Sequence, residues 1–266
     1  MKKPRKPSNR NPRPNRSAHR EALPKVQFSR ELAVLYEDDA VIVVNKPPGL
    51  LAVPIKGSRT PSVLSVLADN LERRRQRPFV VHRIDRFASG AILFAKTAAA
   101  RHDLVQQFLA HTPLREYLAV VRGRVNAASG TLVHYFRREG MFQQLRNVKD
   151  PKASRAELRY KVERLFPDAS LVKVELETGL QNQIRAQFAA LGHPIIGDRK
   201  YHRAEAREQI IARVALHAAH LEFIHPHSKE RISIDCKPPQ DIQHLIRELS
   251  RPKPANHEKN NGKRPL

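Results

Sequence analysis

The sequence predicts an α+β fold: one domain over residues 31–250, with a mostly antiparallel mixed sheet and flanking helices. Three observations carry that reading. Period-two alternation of apolar and polar residues, the mark of a half-buried strand, recurs in segment after segment. Helical periodicity is confined to a few stretches, each bounded by a cap or a breaker. Strand–turn–strand units outnumber strand–helix–strand crossovers, and no repeat or linker divides the span.

Taken in order, ELAVLYEDDAVIVVNKPPG reads as two strands around the turn Glu37-Asp38-Asp39, stopped by Pro47-Pro48. Thr60-Pro61 opens a helix, with threonine as N-cap and proline in the first position, and Val63, Leu64, Leu67 and Leu71 form its apolar face. Arg73-Arg74-Arg75 end that helix with charge matched to its dipole. Two strands then flank the loop HRIDRFASG. A helix after Thr97 presents Leu104, Val105, Phe108 and Leu109 as its buried stripe. REYLAVVRG, TLVHYF, AELRYKVERLF and LVKVELET alternate as strands, and LQNQIRAQFAALG is a helix closed by Gly192. LHAAHLEFI and RISIDC are late strands, and a final helix begins near Pro239.

Charge bears on partners rather than on fold. Of a formal +23, residues 1–30 carry +9 and residues 251–266 carry +4, leaving +10 on residues 31–250. Both ends are rich in Pro and Asn and too poor in apolar residues to offset their ordering entropy. They are expected to be disordered basic arms, or solubilising ends with no specific role. A basic balance of this size favours a nucleic-acid backbone as partner. Cys236 stands alone, which leaves no disulfide framework and no cysteine-based zinc site. No segment has the length of a membrane span, and the first residues lack the apolar core of a signal peptide. A cytoplasmic monomer is the expectation. Neither a helix-turn-helix pattern nor a zinc module supports a DNA-binding regulator.

Several residues invite chemistry. Asp85 lies between Arg83 and Arg86 in the HRIDRFASG loop, and two flanking cations stabilise a carboxylate's charge. Such a group can serve as nucleophile, base or electrostatic stabiliser, or it can be a structural ion pair. If Leu180, Ile184, Phe188 and Leu191 face the core, Gln181 and Arg185 form an adjacent polar stripe. Arg185 could then hold a distant carboxylate bidentately, or be solvated. Tyr117 sits in an alternating strand, as a half-buried core residue or as a platform for a nucleobase. The histidines His217, His220, His225, His227, His193 and His202, with Asp198, suggest a metal. But His217 and His220, three apart in a strand, fall on opposite faces, and no metal site is expected. A triad through Ser89 lacks the G-x-S-x-G elbow.

Together these segments resemble the large-subunit ribosomal RNA pseudouridine synthase family of the RluA type. LYEDDAVIVVNKPPGLLAVP is similar to the family's opening hairpin, and VVHRIDRFASGAILFAK to its catalytic loop. REYLAVVRG carries the family's tyrosine, TGLQNQIRAQFAALGHPIIGDRKY resembles its Arg-bearing helix and following loop, and LHAAHLEFIHP matches its last marker. The five markers occur in family order across most of residues 31–235. The resemblance implies Asp85 as catalytic carboxylate, Tyr117 as the residue packing on the target base, and Arg185 as the partner of Asp85. It implies that Arg83 fills the space left by a flipped nucleotide, and that His82, Arg86, Asn182 and Gln183 belong to the RNA-binding surface. The partner is then ribosomal or transfer RNA, and an isomerisation requires no cofactor. Leu180 and Asn182 stand where many members carry Arg and His, and Phe87-Ala88 replace Asp-Thr, which bears on substrate preference. Residues 1–30 stand where many members carry a small RNA-binding domain. The alternative is a catalytically inactive RNA-binding or ribosome-assembly factor on the same fold.

Overall fold

A computed structural model describes residues 32–57, 60–140, 142–202 and 210–251. Apart from Arg251, the two basic ends lie outside the described residues. The acidic turn forms as expected, with β1 (Ala33–Glu37) and β2 (Val41–Lys46) antiparallel across it. The Asp38 carboxylate accepts from the Ala40 and Val41 amides at 2.7 and 2.9 Å, the local bonding that suits aspartate to turns.

Helix α1 (Val63–Glu72) is capped by Ser62, not Thr60. Ser62 Oγ accepts from the Ser65 amide, and Ser65 Oγ accepts from the Ser62 amide. This reciprocal pair satisfies two donors that a proline-led start would leave open. Helix α2 (Ala98–Leu109) keeps the expected Thr97 cap. Leu104 is buried, but Leu109 is 66% exposed, because it sits one helical step round from the Leu104–Phe108 face.

Of the strands flanking the HRIDRFASG loop, β4 (Ser89–Ala95) is full-length and β3 (Phe79–Val80) has only two residues. Its shortness has a local cause. His82 Nε2 accepts the Leu93 amide at 3.0 Å, in the place where a longer β3 would continue the ladder.

Five antiparallel strands follow: β5 (Leu114–Arg122), β6 (Ser129–Glu139), β7 (Phe142–Arg146), β8 (Ser154–Leu165) and β9 (Ala169–Leu176). The strand β7 was not anticipated, since FQQLR lies on an exposed edge and carries no alternation. Helix α3 (Gln183–Ala190) starts later than periodicity suggests, because Asn182 is left-handed at φ 56° and ends the preceding turn. β10 (Leu216–Ile224), β11 (Arg231–Asp235) and α4 (Gln240–Ser250) complete the chain.

The eleven strands of the described residues join one mixed sheet in the order β1-β2-β4-β10-β5-β9-β8-β6-β7, with β3 on β4 and β11 on β10. The central contact, β4 with β10, is parallel and brief: Ser89 opposes His217 and Gly90 opposes Ala218. Gly90 has φ 116°, and a Cβ there would lie 2.2 Å from the Ala218 carbonyl oxygen. Only glycine allows that approach. Beside it, Ser89 Oγ and His217 Nδ1 lie 2.9 Å apart while His217 Nε2 reaches the Cys236 carbonyl at 2.8 Å. The buried pair is a tie between the two strands. No helix among the described residues is long and apolar enough to cross a membrane.

Candidate active site

The loop between β3 and β4 leaves the sheet at this central junction, and a neighbouring loop holds it down. Lys46 is fully buried, and its Nζ donates to the carbonyls of Pro47, Leu50 and Arg86 at 2.9, 3.0 and 3.0 Å. The Gly49 amide also donates to the Arg86 carbonyl at 2.7 Å, and Arg86 Nε returns a bond to the Gly49 carbonyl at 2.9 Å. Burial pushes the Lys46 amine down to about 7. The NKPPG segment is thus more than the end of a hairpin: it anchors the Asp85 loop.

Asp85 meets Arg185 across a hundred residues of chain, with Arg185 Nη1 3.3 Å from the carboxylate. The bidentate partner of Arg185 is a different acid. Its Nε and Nη2 each donate to Asp198 at 2.8 Å, a fork-to-fork pair, and Nη1 also donates to Asn182 Oδ1 at 2.9 Å. The Asp198 side chain has no solvent exposure. Burial opposes its charge, but Arg185 and the amides of Lys200 and Tyr201 outweigh that and hold the carboxyl below its ordinary range. Arg185 is likewise held charged against burial, by Asp198 first and then by Asp85. Asp85 therefore receives the one corner of a guanidinium that Asp198 and Asn182 have already oriented.

Asp85 and Tyr117 line a single cavity of about 230 Å³, between the loop, β5 and the start of α3. Tyr117 is buried, and burial pushes its phenol up to about 12, so it stays neutral. Arg83 lines the same cavity and is exposed. Arg86 is also exposed, with its guanidinium 5.2 Å over the Phe87 ring. The remaining expected RNA contacts have structural work. His82 stacks on Phe108 at 4.5 Å and takes the Leu93 amide, and burial lowers its imidazole to about 3. Gln183 Oε1 accepts from Thr178 Oγ1 and the Leu180 amide, while Nε2 donates to the Glu157 carbonyl. Asn182 supports Arg185. All three still border the cavity.

Sequence reasoning passed over two residues at the site. Asp198 was considered only beside histidines, although it follows the Arg-bearing helix in the segment HPIIGDRKY. Arg115 shares the alternation of β5 with Tyr117, and that spacing was the available signal.

A family model described as RNA pseudouridylate synthase matches residues 40–190. The chain is 34% identical over 230 residues to the ribosomal large subunit pseudouridine synthase D of Zymomonas mobilis, covering 82% of this chain and 73% of that one. It is also 34% identical over 235 residues to the uncharacterized RNA pseudouridine synthase YlyB of Bacillus subtilis, with 86% and 76% covered. The solved structure of human RNA pseudouridylate synthase domain containing 4 superposes with a TM-score of 0.68 at 20% identity, over 82% of this chain and 92% of that one, which speaks to the fold. The chain belongs to the RNA pseudouridylate synthase family, enzymes that isomerise uridine within RNA.

Proposed function

We propose that this enzyme isomerises specific uridines of ribosomal RNA in the cytoplasm, acting as a monomer and using Asp85 as its reactive carboxylate. The observation that carries the reading is Asp85 beside Arg185 in a cavity whose wall is the buried Tyr117. In this reading the target nucleotide is turned out of its RNA stack, at a cost of a few kcal/mol. Its uracil packs against Tyr117, and its ribose lies at Asp85. Arg185, fixed by Asp198, holds the carboxylate toward the sugar, and Arg83 stands at the opening where a flipped nucleotide leaves a gap. Arg86 adds phosphate contact from outside the cavity. The ribosomal target is supported by the name of the Zymomonas mobilis relative. Leu180, which lines the cavity where many family members carry Arg, would shape which uridine fits.

The test is to incubate the protein with RNA from cells lacking its gene and map new pseudouridines at nucleotide resolution. New sites in large-subunit ribosomal RNA are expected. New sites confined to transfer RNA would overturn the substrate assignment, and none at all would favour the inactive RNA-binding alternative.

A further inference from the structure

Arg115 and Tyr117 alternate onto one face of β5 and line the same cavity. Arg115 is 8% exposed, yet among the described residues no carboxylate is bonded to it. Its Nη2 donates to the carbonyls of Leu176 and Glu177 at 3.1 and 3.4 Å, and its buried Nε has no hydrogen-bond partner. The guanidinium carbon sits 5.8 Å from the Phe108 ring centre. The two other buried arginines among the described residues each grip an acid: Arg185 holds Asp198, and Arg213 holds Asp241 at 2.7 and 2.8 Å. Removing a cation from water without an acid is unfavourable unless something else answers its charge. Nη1 is the corner nearest the cavity wall at Gly179, where a Cβ would come within 2.9 Å of it.

Isomerisation of uridine moves a negative charge, on the reading above that Asp85 is the reactive group. When the N1–C1′ bond breaks, its electron pair stays with the uracil. Asp85 meanwhile either bonds C1′ as an ester or takes the C2′ proton. By either route the carboxylate loses its charge and the detached uracil gains one, spread over N1, O2 and O4. The uracil then turns, and C5 bonds C1′. As it does so, Asp85 leaves as the carboxylate or returns its proton to C2′. Loss of the C5 proton and protonation of N1 complete the exchange with no net gain of atoms or electrons.

We propose that Arg115 is a catalytic residue that receives this charge, with its guanidinium edge beside Gly179 donating to a carbonyl oxygen of the detached uracil. The site is built for the moving charge: Arg185 is bonded to two acids, whereas Arg115, on which the Glu177 carboxylate acts only from a distance, has a charge to offer on the base side. His82, beside it, is kept neutral and adds no second cation.

The test compares Arg115→Met and Arg115→Lys with wild type in single turnover at saturating RNA, with RNA affinity and thermal melting measured alongside. The probe is large-subunit ribosomal RNA transcribed with uridine or with 5-fluorouridine, whose fluorine makes the uracil a better leaving group. Because its C5 carries no proton to lose, the step compared on both is formation of the C5–C1′ bond, which on fluorouridine ends in a C5-linked nucleoside hydrated at C6. Arg115→Met should slow formation of the C5-linked nucleoside by about 10²–10³-fold, the usual effect of removing one donor to a developing anion. RNA affinity should stay within a few fold. On fluorouridine the deficit should shrink by about tenfold, because a stabler anion needs the cation less. Arg115→Lys should fall between wild type and Met. A structural arginine gives another result: an equal deficit on both substrates, or a single-turnover rate unchanged from wild type, would overturn the proposal. Arg115 also ties down the end of β9, so if the Met variant fails to fold, Arg115→Lys is judged by the same leaving-group comparison. If wild type leaves the ribosomal transcript unconverted, the substrate reading fails. The variant-to-wild-type ratio is then taken on RNA from cells lacking the gene, where an unchanged rate still overturns the role of Arg115.

Discussion

At the residue scale, the site turns on how two carboxylates share one guanidinium. Asp85 was legible in the sequence because charges of opposite sign flank it within a loop between apolar runs. The pairing with Arg185 followed from family resemblance, but the fork belongs to Asp198, whose role no periodicity could reveal because it is set by a contact between a helix and the loop after it. This changes what Arg185→Leu should do. The substitution leaves Asp198 as a fully buried charge without the cation bonded to it, besides weakening the hold on Asp85. A cost of roughly 3–5 kcal/mol is expected from chemical denaturation, together with heavy loss of turnover. A variant that melts like wild type would mean that Asp198 is not charged in the folded protein.

At the element scale, a short parallel junction of the sheet lies beside the proposed site. β4 and β10 meet only at Ser89–Gly90 and His217–Ala218, and the Asp85 loop enters β4 there. Both strands were readable, β4 as an apolar run beside the loop, but their order was not, because a parallel contact of two residues leaves no pattern in either strand. Gly90→Ala would force a Cβ against backbone and demand φ 116° of an L-residue. Soluble yield and melting temperature should both fall sharply, and an unchanged melt would mean the junction does not need this approach. His82 gives a pH signature. Its imidazole is lowered to about 3 in the folded chain, against an ordinary value near 6.5. Between those values the unfolded chain holds a proton that the folded chain lacks. Stability therefore rises with pH across this window and falls on acidification, by about 1.4 kcal/mol per pH unit from this group. His82→Gln keeps an acceptor for the Leu93 amide and removes the titration. Urea unfolding from pH 7 to pH 4 should show the variant losing less stability than wild type, and parallel slopes would contradict the assignment.

At the scale of the whole molecule, composition announced a polyanionic partner before any motif did, and membership in an RNA-modifying family accords with that. Composition could not say which surface meets the RNA, because charge counts carry no geometry. Residues 1–30 carry +9 and lie outside the described residues, so their part is best measured directly. If they engage on the order of three to five phosphates, deleting them should flatten the slope of log affinity against log salt by roughly 2–4 units. Turnover at saturating RNA should change little. An unchanged slope would make the segment a bystander. The central claim is that Asp85 is the group that reacts at the ribose. Asp85→Asn keeps the shape and removes the reactive oxygen pair, so the decisive measurement is pseudouridine mapping on RNA treated with this variant, with RNA affinity measured in parallel. No new pseudouridine and an affinity within a few fold of wild type are expected; new pseudouridines formed by the purified Asp85→Asn protein would place the reactive group elsewhere.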